Sequence, residues 1–300
     1  MKKNYRNKLL QDNSLGGRIV YAIMFIFFIA YAASLLYPLL WGLISSVKTP
    51  NAYYASNFID FWKKNFNDLS KVINFGNYSR AFQEISDGEI SFLGMFWNSL
   101  WYSIGSSWIY IESLTILTYV MNKYTFKGRK FLYGFALFLV AVPIGPTFVA
   151  NYRIIWDFGF ANSYLLLLTS ISGFNMNFLL MYSFIGGISW SYAEAAQIDG
   201  AGPYTVYFKV MRKMATPMMI TMFLMQFIAK WNDYMTPLLY LPDMLTLSTG
   251  LFKYRTIVER SGNYPVLFAG LMIMTAPIMG LYAVFNKKLM GSFSVGGLKG

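Results

Sequence analysis

The chain has 300 residues, of which 56% are hydrophobic, 19% aromatic and 13% charged, about half the charge of an ordinary soluble domain. It contains neither cysteine nor histidine. Their absence removes disulfides, thiolate chemistry, the commonest metal ligand and the commonest general base near neutral pH. A net charge of +12 would suit a nucleic-acid partner in a soluble protein, but the placement of the charges gives it a different origin, and no nucleic-acid partner is expected.

The charge deficit comes from long apolar runs, each near the roughly 20 residues that cross a hydrocarbon core of about 30 Å. A transmembrane β-barrel would instead alternate over segments of about ten residues. The predicted class is therefore an all-α polytopic membrane protein with six spans, at about 19–44, 94–120, 131–150, 163–187, 217–241 and 265–286. The basic start, MKKNYRNKLLQDNSLGGR, resembles that of a signal peptide. The run Ile19–Ile44 that follows is too long for a signal core and lacks a small-residue cleavage site, so it reads as a retained first helix. With residues 1–18 inside, fifteen Lys and Arg fall in inside segments and nine in outside segments, the bias that orients membrane helices. This places both termini, the tail 287–300 and the segment 188–216 in the cytoplasm. The loop 46–92 lies outside as a small cap rich in aromatic residues, within a transmembrane domain spanning 19–286.

Several polar residues fall inside predicted spans, where they usually face a bundle interior or a watery path. Glu112 lies in the second span, where it either pairs with a Lys or Arg on another helix or faces the cavity. Pro143, Gly145 and Pro146 predict a break in the third span. Asn175 and Asn177 predict a kink or interhelical hydrogen bonds in the fourth. In the fifth, Gln226, Lys230 and Asp233 recur at steps of four and three, which puts them on one helix face. With Trp231 and Tyr234 they are candidates for a substrate path. The alternative is a Lys230–Asp233 pair that neutralises itself against neighbouring helices.

The run from Tyr192 to Pro217, YAEAAQIDGAGPYTVYFKVMRKMATP, is polar and rich in small residues between two apolar spans. Ser189 or Ser191 can cap a helix starting near Tyr192, with Glu194 in its first turn at the positive end of the dipole. Asp199-Gly200 is a turn signal. Gly202-Pro203 restarts a helix with proline at its first position. The result is a helix–turn–helix at the inner surface. From composition it serves equally as a docking element or as an amphipathic helix resting in the headgroups.

This stretch resembles the EAA loop of ABC importer permeases. Glu194, Ala195, Ala196 and Gly200 match in type and spacing, Val210 stands where isoleucine is usual, and Ile198-Asp199-Gly200-Ala201 is similar to a sequence common in the carbohydrate-uptake branch. The chain departs where the pattern has Leu-Pro, carrying Arg212-Lys213 instead. NFGNYSRAF (74–82) with FWNSL (96–100), the basic turn TFKGRK ending at Lys130, WNDYMTPL (231–238) and the tail GSFSVGGLKG resemble further elements of that branch in the same order. The tail is similar to that of MalG-type permeases of maltose transporters. The resemblance implies a type I ABC importer fold and the membrane-spanning permease of an ATP-driven sugar importer in a bacterial cytoplasmic membrane. It implies a second permease, a cytoplasmic ATPase dimer and an extracytoplasmic sugar-binding protein as partners. Glu194, Ala195, Ala196, Asp199, Gly200 and Ala201 would couple to the ATPase. The chain carries no GxxxxGK[ST] phosphate loop, so ATP and Mg would be held by that partner, with no cofactor and no catalysis here. The competing readings are an ion-coupled secondary transporter, for which Glu112 and Asp233 are the candidate carboxylates within a span, and a membrane-bound enzyme, which the missing histidines argue against.

Overall fold

The structure, a computed structural model, describes the backbone of residues 15–88, 90–142 and 148–295, and side chains as far as 285. The chain is helical almost throughout. Helix α1 (Leu15–Ser46) is apolar on every face. Its large side chains stand uncovered, with Phe25 and Phe27 each 66% exposed. Burying such a side chain is worth about 1.5–3 kcal/mol, so a helix that leaves them all bare is built for hydrocarbon. Among the described residues, Gly16–Ser46 and Tyr264–Phe285 are by themselves long and apolar enough to cross a membrane.

After α1 come the short helices α2 (Pro50–Tyr54) and α3 (Phe58–Lys64), a 3₁₀ turn at Leu69–Lys71, and α4 (Gly76–Glu84). Thr49 caps α2 by accepting from the Ala52 N–H, with Pro50 at the first helical position. Its hydroxyl also donates to the Lys71 carbonyl at 2.7 Å. Backbone bonds from Thr49 to Val72 and from Asn74 to Val47 tie the two ends of this segment together. Buried Asn77 donates to the carbonyls of Ser46 and Lys48 at 2.9 and 2.8 Å, which end the turn after α1. The aromatic pattern is used here for packing: Tyr53 stacks on Tyr264 and Trp41 meets Phe268 edge-on.

Helix α5 (Phe92–Lys123) opens on Ser91, whose hydroxyl accepts from the Gly94 N–H. Small polar residues, Ser99, Ser103, Ser106, Ser107, Thr115 and Thr118, are buried along it. Such residues let membrane helices approach closely, and α5 is the helix against which the second half of the chain packs. The third predicted span appears as α6 (Arg129–Ala141) and α7 (Phe148–Asp157); Pro143, Gly145 and Pro146 lie outside the described residues. The fourth, expected as one helix over 163–187, is broken into a 3₁₀ stretch at Tyr164–Ser170 and α8 (Met176–Gly186). The break is satisfied by side chains, as buried backbone requires. The Ser172 N–H donates to Ser113 Oγ, and Asn175 accepts from the Phe178 N–H. Tyr110 on α5 binds Asn175 and receives a bond from Asn177 at 2.9 Å.

The loop after α8 holds α9 (Ser191–Ile198), the short α10 (Pro203–Thr205) and a π-helical stretch at Val206–Met211 that runs directly into α11 (Arg212–Asn232). The fifth span also departs from expectation. It stops at Asp233, whose ψ of 107° is extended, and restarts as α12 (Met235–Tyr240). Helices α13 (Leu247–Ser261) and α14 (Tyr264–Val295) complete the chain. The described chain divides into two units, one ending at 79 and including 262–272, the other holding 80–261 and the rest. The core of the second unit joins Ile111, Leu114 and Tyr119 of α5 to Phe178 and Met181 of α8, Ala193 of α9, and Tyr207, Met211, Ala215 and Met222 around the start of α11. The cytoplasmic-loop candidate and the bundle therefore share one core.

Candidate functional site: an exposed helical elbow and a braced helix break

In the first candidate site, α9 starts one residue earlier than predicted and without the predicted cap. Ser189 and Ser191 hydrogen-bond each other at 2.8 Å, while the Trp190 carbonyl accepts the N–H groups of Ala193 and Glu194. Ala193 is fully buried and anchors the helix. Glu194 and Ala195 face outward, and Ala196 packs partly onto the core. The helix ends where Asp199-Gly200 predicts. Gly200 has φ +83°, a left-handed conformation that costs residues with a Cβ about 1–2 kcal/mol. The Gly200 N–H bonds the Gln197 carbonyl and the Ala201 N–H bonds that of Ala196. This is the paired closure of a Schellman motif, and Ala201 and Ala196 supply its apolar contact. Gly202 and Pro203 restart the helix as expected.

The elbow presents large apolar side chains outward. Ile198 is 86% and Tyr204 83% exposed, while Val206, Tyr207 and Met211 are buried beneath them. Three contacts fix the base of the elbow to the rest of the second unit. Lys123 Nζ donates to the Ile188 carbonyl at 2.6 Å, Asn122 donates to the Tyr182 carbonyl, and Arg129 donates to the Tyr182 hydroxyl. Burial pushes the Lys123 ammonium below the usual lysine range.

The second candidate site differs more from its prediction. Asp233 closes the helix that carries Gln226 and Lys230: its N–H bonds the Lys230 carbonyl and its φ of -71° is still helical, so it meets Lys230 three residues back while the chain turns away after it. Its carboxylate caps the restart by accepting from the Thr236 N–H at 3.0 Å and takes a bond from the Tyr102 hydroxyl at 3.1 Å. Lys230 Nζ lies 3.9 Å from Asp233 and 5.6 Å from the centre of the Tyr102 ring. The Lys230–Asp233 pair is thus made. Ser248 of α13 donates to the Asp233 carbonyl at the helix break, and Thr249 adds a bond to the Tyr234 carbonyl, which already accepts from the Leu238 N–H. Trp231 is a correction: it is 1% exposed, stacks on Phe227, and donates its indole N–H to the Met274 carbonyl at 3.0 Å. No face of it is left for a ligand. Tyr234 stacks on Phe252 yet stays 37% exposed, and Gln226 is half-exposed.

Residues 13–290 match the family described as binding-protein-dependent transport system inner membrane component. The chain belongs to this family. Among relatives of this inner membrane component, the diacetylchitobiose uptake system permease protein NgcG of Streptomyces coelicolor is 26% identical over 295 residues, covering 96% of this chain and 92% of that one. The arabinooligosaccharides transport system permease protein AraQ of Halalkalibacterium halodurans is 28% identical over 69% of this chain and 76% of its own. The maltodextrin transport system permease protein MdxG of Bacillus subtilis is 25% identical over 92% of this chain and 95% of its own. In fold, the component is similar to a bacterial ABC transporter involved in the import of alginate, with a TM-score of 0.73 at 21% identity over 91% of this chain and 98% of that one.

As a family member, the component also uses residues that sequence reasoning passed over. Tyr102 and Tyr110 read as ordinary aromatics of a span, yet each hydroxyl serves the break of another helix. Their positions on α5 carry no local signal of this; only the facing helix supplies it. Arg212 was counted among the inside loop charges, but it is the partner that Glu112 lacked in the sequence.

Proposed function

We propose that this chain is one of two membrane-spanning permeases of an ATP-driven importer of oligosaccharides, with six spans, both termini in the cytoplasm and the loop 46–92 outside. The observation that carries this reading is the family match over residues 13–290. The relatives named for diacetylchitobiose, arabinooligosaccharides and maltodextrin support a sugar cargo, and the alginate importer in complex with a pentasaccharide-bound periplasmic protein supports delivery by such a protein. Within the chain, Glu194, Ala195, Ala196, Asp199, Gly200 and Ala201 form the elbow that seats in a cytoplasmic ATPase. The exposed Ile198 and Tyr204 favour a protein partner there, because an isolated solvated loop gains nothing from two bare apolar side chains. The sugar path passes Gln226 and Tyr234, with Lys230 and Asp233 bracing the break beside it. Chemistry is left to the ATPase, which holds ATP and Mg.

An ion-coupled carrier would need a carboxylate free to titrate along the path, whereas Glu112 and Asp233 each face a cation. The deciding experiment is co-purification of the chain with its ATPase, followed by sugar uptake in proteoliposomes. Glu194→Lys and Gly200→Trp are expected to lose the ATPase while the permease stays in the membrane. Gly200→Asn, which tolerates a left-handed backbone, should keep it. Uptake driven by an ion gradient without ATP would overturn the reading.

A further inference from the structure

Glu112 belongs to neither candidate site, and the family pattern does not call for it. Its partner Arg212 is the first residue of α11, at the place where that pattern has Leu-Pro. Arg212 Nε donates to Glu112 Oε2 at 3.1 Å, and Nη2 donates to Oε1. Such a two-pronged pair fixes direction as well as distance. The guanidinium also sits 5.7 Å from the centre of the Trp108 ring, one turn back along α5. The side chains are only 19% and 27% exposed, and they end a cavity of about 260 Å³ whose other walls include Met219, Ile220, Phe223 and Phe285. In apolar surroundings neither charge is easily released alone.

The segment before Arg212 is not ordinary helix. Val206–Met211 is wound as a π-helix, with one residue more per turn than its continuation, and such stretches recur at functional sites. Rewinding it to α would turn the residues before it by about 100° relative to Arg212. One side chain in the stretch has a use for that rotation. Tyr207 is 7% exposed, and its hydroxyl has no hydrogen-bond partner. It lines the same small pocket as Arg212 and Thr115, with Glu112 one turn from Thr115 on α5. Burial, and after it the Glu112 charge, pushes the Tyr207 phenol up to about 12. It is a neutral donor beside a carboxylate that another residue occupies.

We propose that Glu112 and Arg212 are positioning residues for coupling: the pair locks the first turn of α11 to α5, the π-wound stretch is the compliant element between this lock and the elbow, and the Tyr207 hydroxyl joins Arg212 on Glu112 when the stretch rewinds. A two-state element biased from one end is the physical requirement for coupling over distance. The inference rests on the proposed function, since it presumes that the elbow is pulled by an ATPase.

The test uses the whole transporter, with its second permease, ATPase and binding protein, in proteoliposomes. It reads ATPase co-purification, basal hydrolysis, stimulation of hydrolysis by the sugar-loaded binding protein, and sugar moved per ATP. Glu112→Gln and Arg212→Met are expected to keep the ATPase and basal hydrolysis but lose stimulation by roughly tenfold, the scale of one coupling interaction. The exchange Glu112→Arg with Arg212→Glu should recover part of it. Tyr207→Phe keeps the fold in any case, because it removes an oxygen that bonds nothing here. A purely structural role leaves Tyr207→Phe at wild-type transport, whereas the added Tyr207 bond to the lock predicts several-fold slower transport at unchanged assembly. Wild-type transport in Tyr207→Phe, or wild-type stimulation in Glu112→Gln, would overturn the inference. A wild-type chain that never retains an ATPase would instead sink the proposed function.

Discussion

At the scale of single residues, the polar side chains of this chain mostly serve backbone that helices leave unpaired. Asn77 is the clearest case. It is buried and spans two carbonyls, Ser46 and Lys48, at the point where α1 hands over to the segment beyond it. Replacing it with alanine strands both carbonyls away from water, at about 1–3 kcal/mol each. Asn77→Ala is expected to lower the thermal unfolding midpoint in detergent by several degrees, while Asn74→Ala, whose residue is only part-buried, should cost less. Equal midpoints for the two variants would refute this assignment. Asn74 and Asn77 stand in the stretch NFGNYSRAF, which was legible as a motif. Nothing in the motif says that one asparagine is a brace and the other is not, because burial depends on a strand of chain thirty residues away.

At the scale of elements, helix crossings depend on missing side chains. Gly250 in α13 lies so close to α5 that a Cβ there would stand 2.3 Å from Sδ of Met95, which is itself fully buried. Gly250→Ala must push Met95 aside, and overpacking of this kind costs about 1–3 kcal/mol. The double change Gly250→Ala with Met95→Ala should lose less than the sum of the two single changes, since Met95→Ala, although it opens a cavity of its own, removes the obstructing sulfur. The check is a double-mutant cycle on unfolding midpoints, and strict additivity would refute the contact. The same logic separates the spans that periodicity reads well from those it reads badly. A helix with continuous apolar character, such as α1, is visible in any window. The stretches predicted as the fourth and fifth spans contain breaks at Ile171–Phe174 and at Asp233, and average hydropathy smooths over them. The breaks survive because Ser113, Tyr110, Ser248 and Thr249 come from other elements to satisfy them.

At the scale of the whole molecule, orientation is a charge argument, and the absence of cysteine makes it directly testable. Single cysteines at Ser56 and at Gln197, both exposed positions, should react with a membrane-impermeant thiol reagent from opposite sides. Ser56→Cys is expected to label in intact cells, and Gln197→Cys only after the membrane is opened. The reverse pattern would place the elbow outside and remove it from any cytoplasmic motor. Composition, the run of apolar spans, the Lys and Arg bias, the turn at Asp199-Gly200 and the ordered motifs are all local or additive properties of the chain. That is why the sequence alone determined the class, the family and the location of the elbow. Only the tertiary structure decided that Trp231 is walled in, that Asp233 caps a restart as well as meeting Lys230, and that Glu112 meets Arg212. Each of those outcomes depends on which side chain another helix brings within about 3 Å, and residues a hundred positions apart carry no shared pattern that a linear reading can detect.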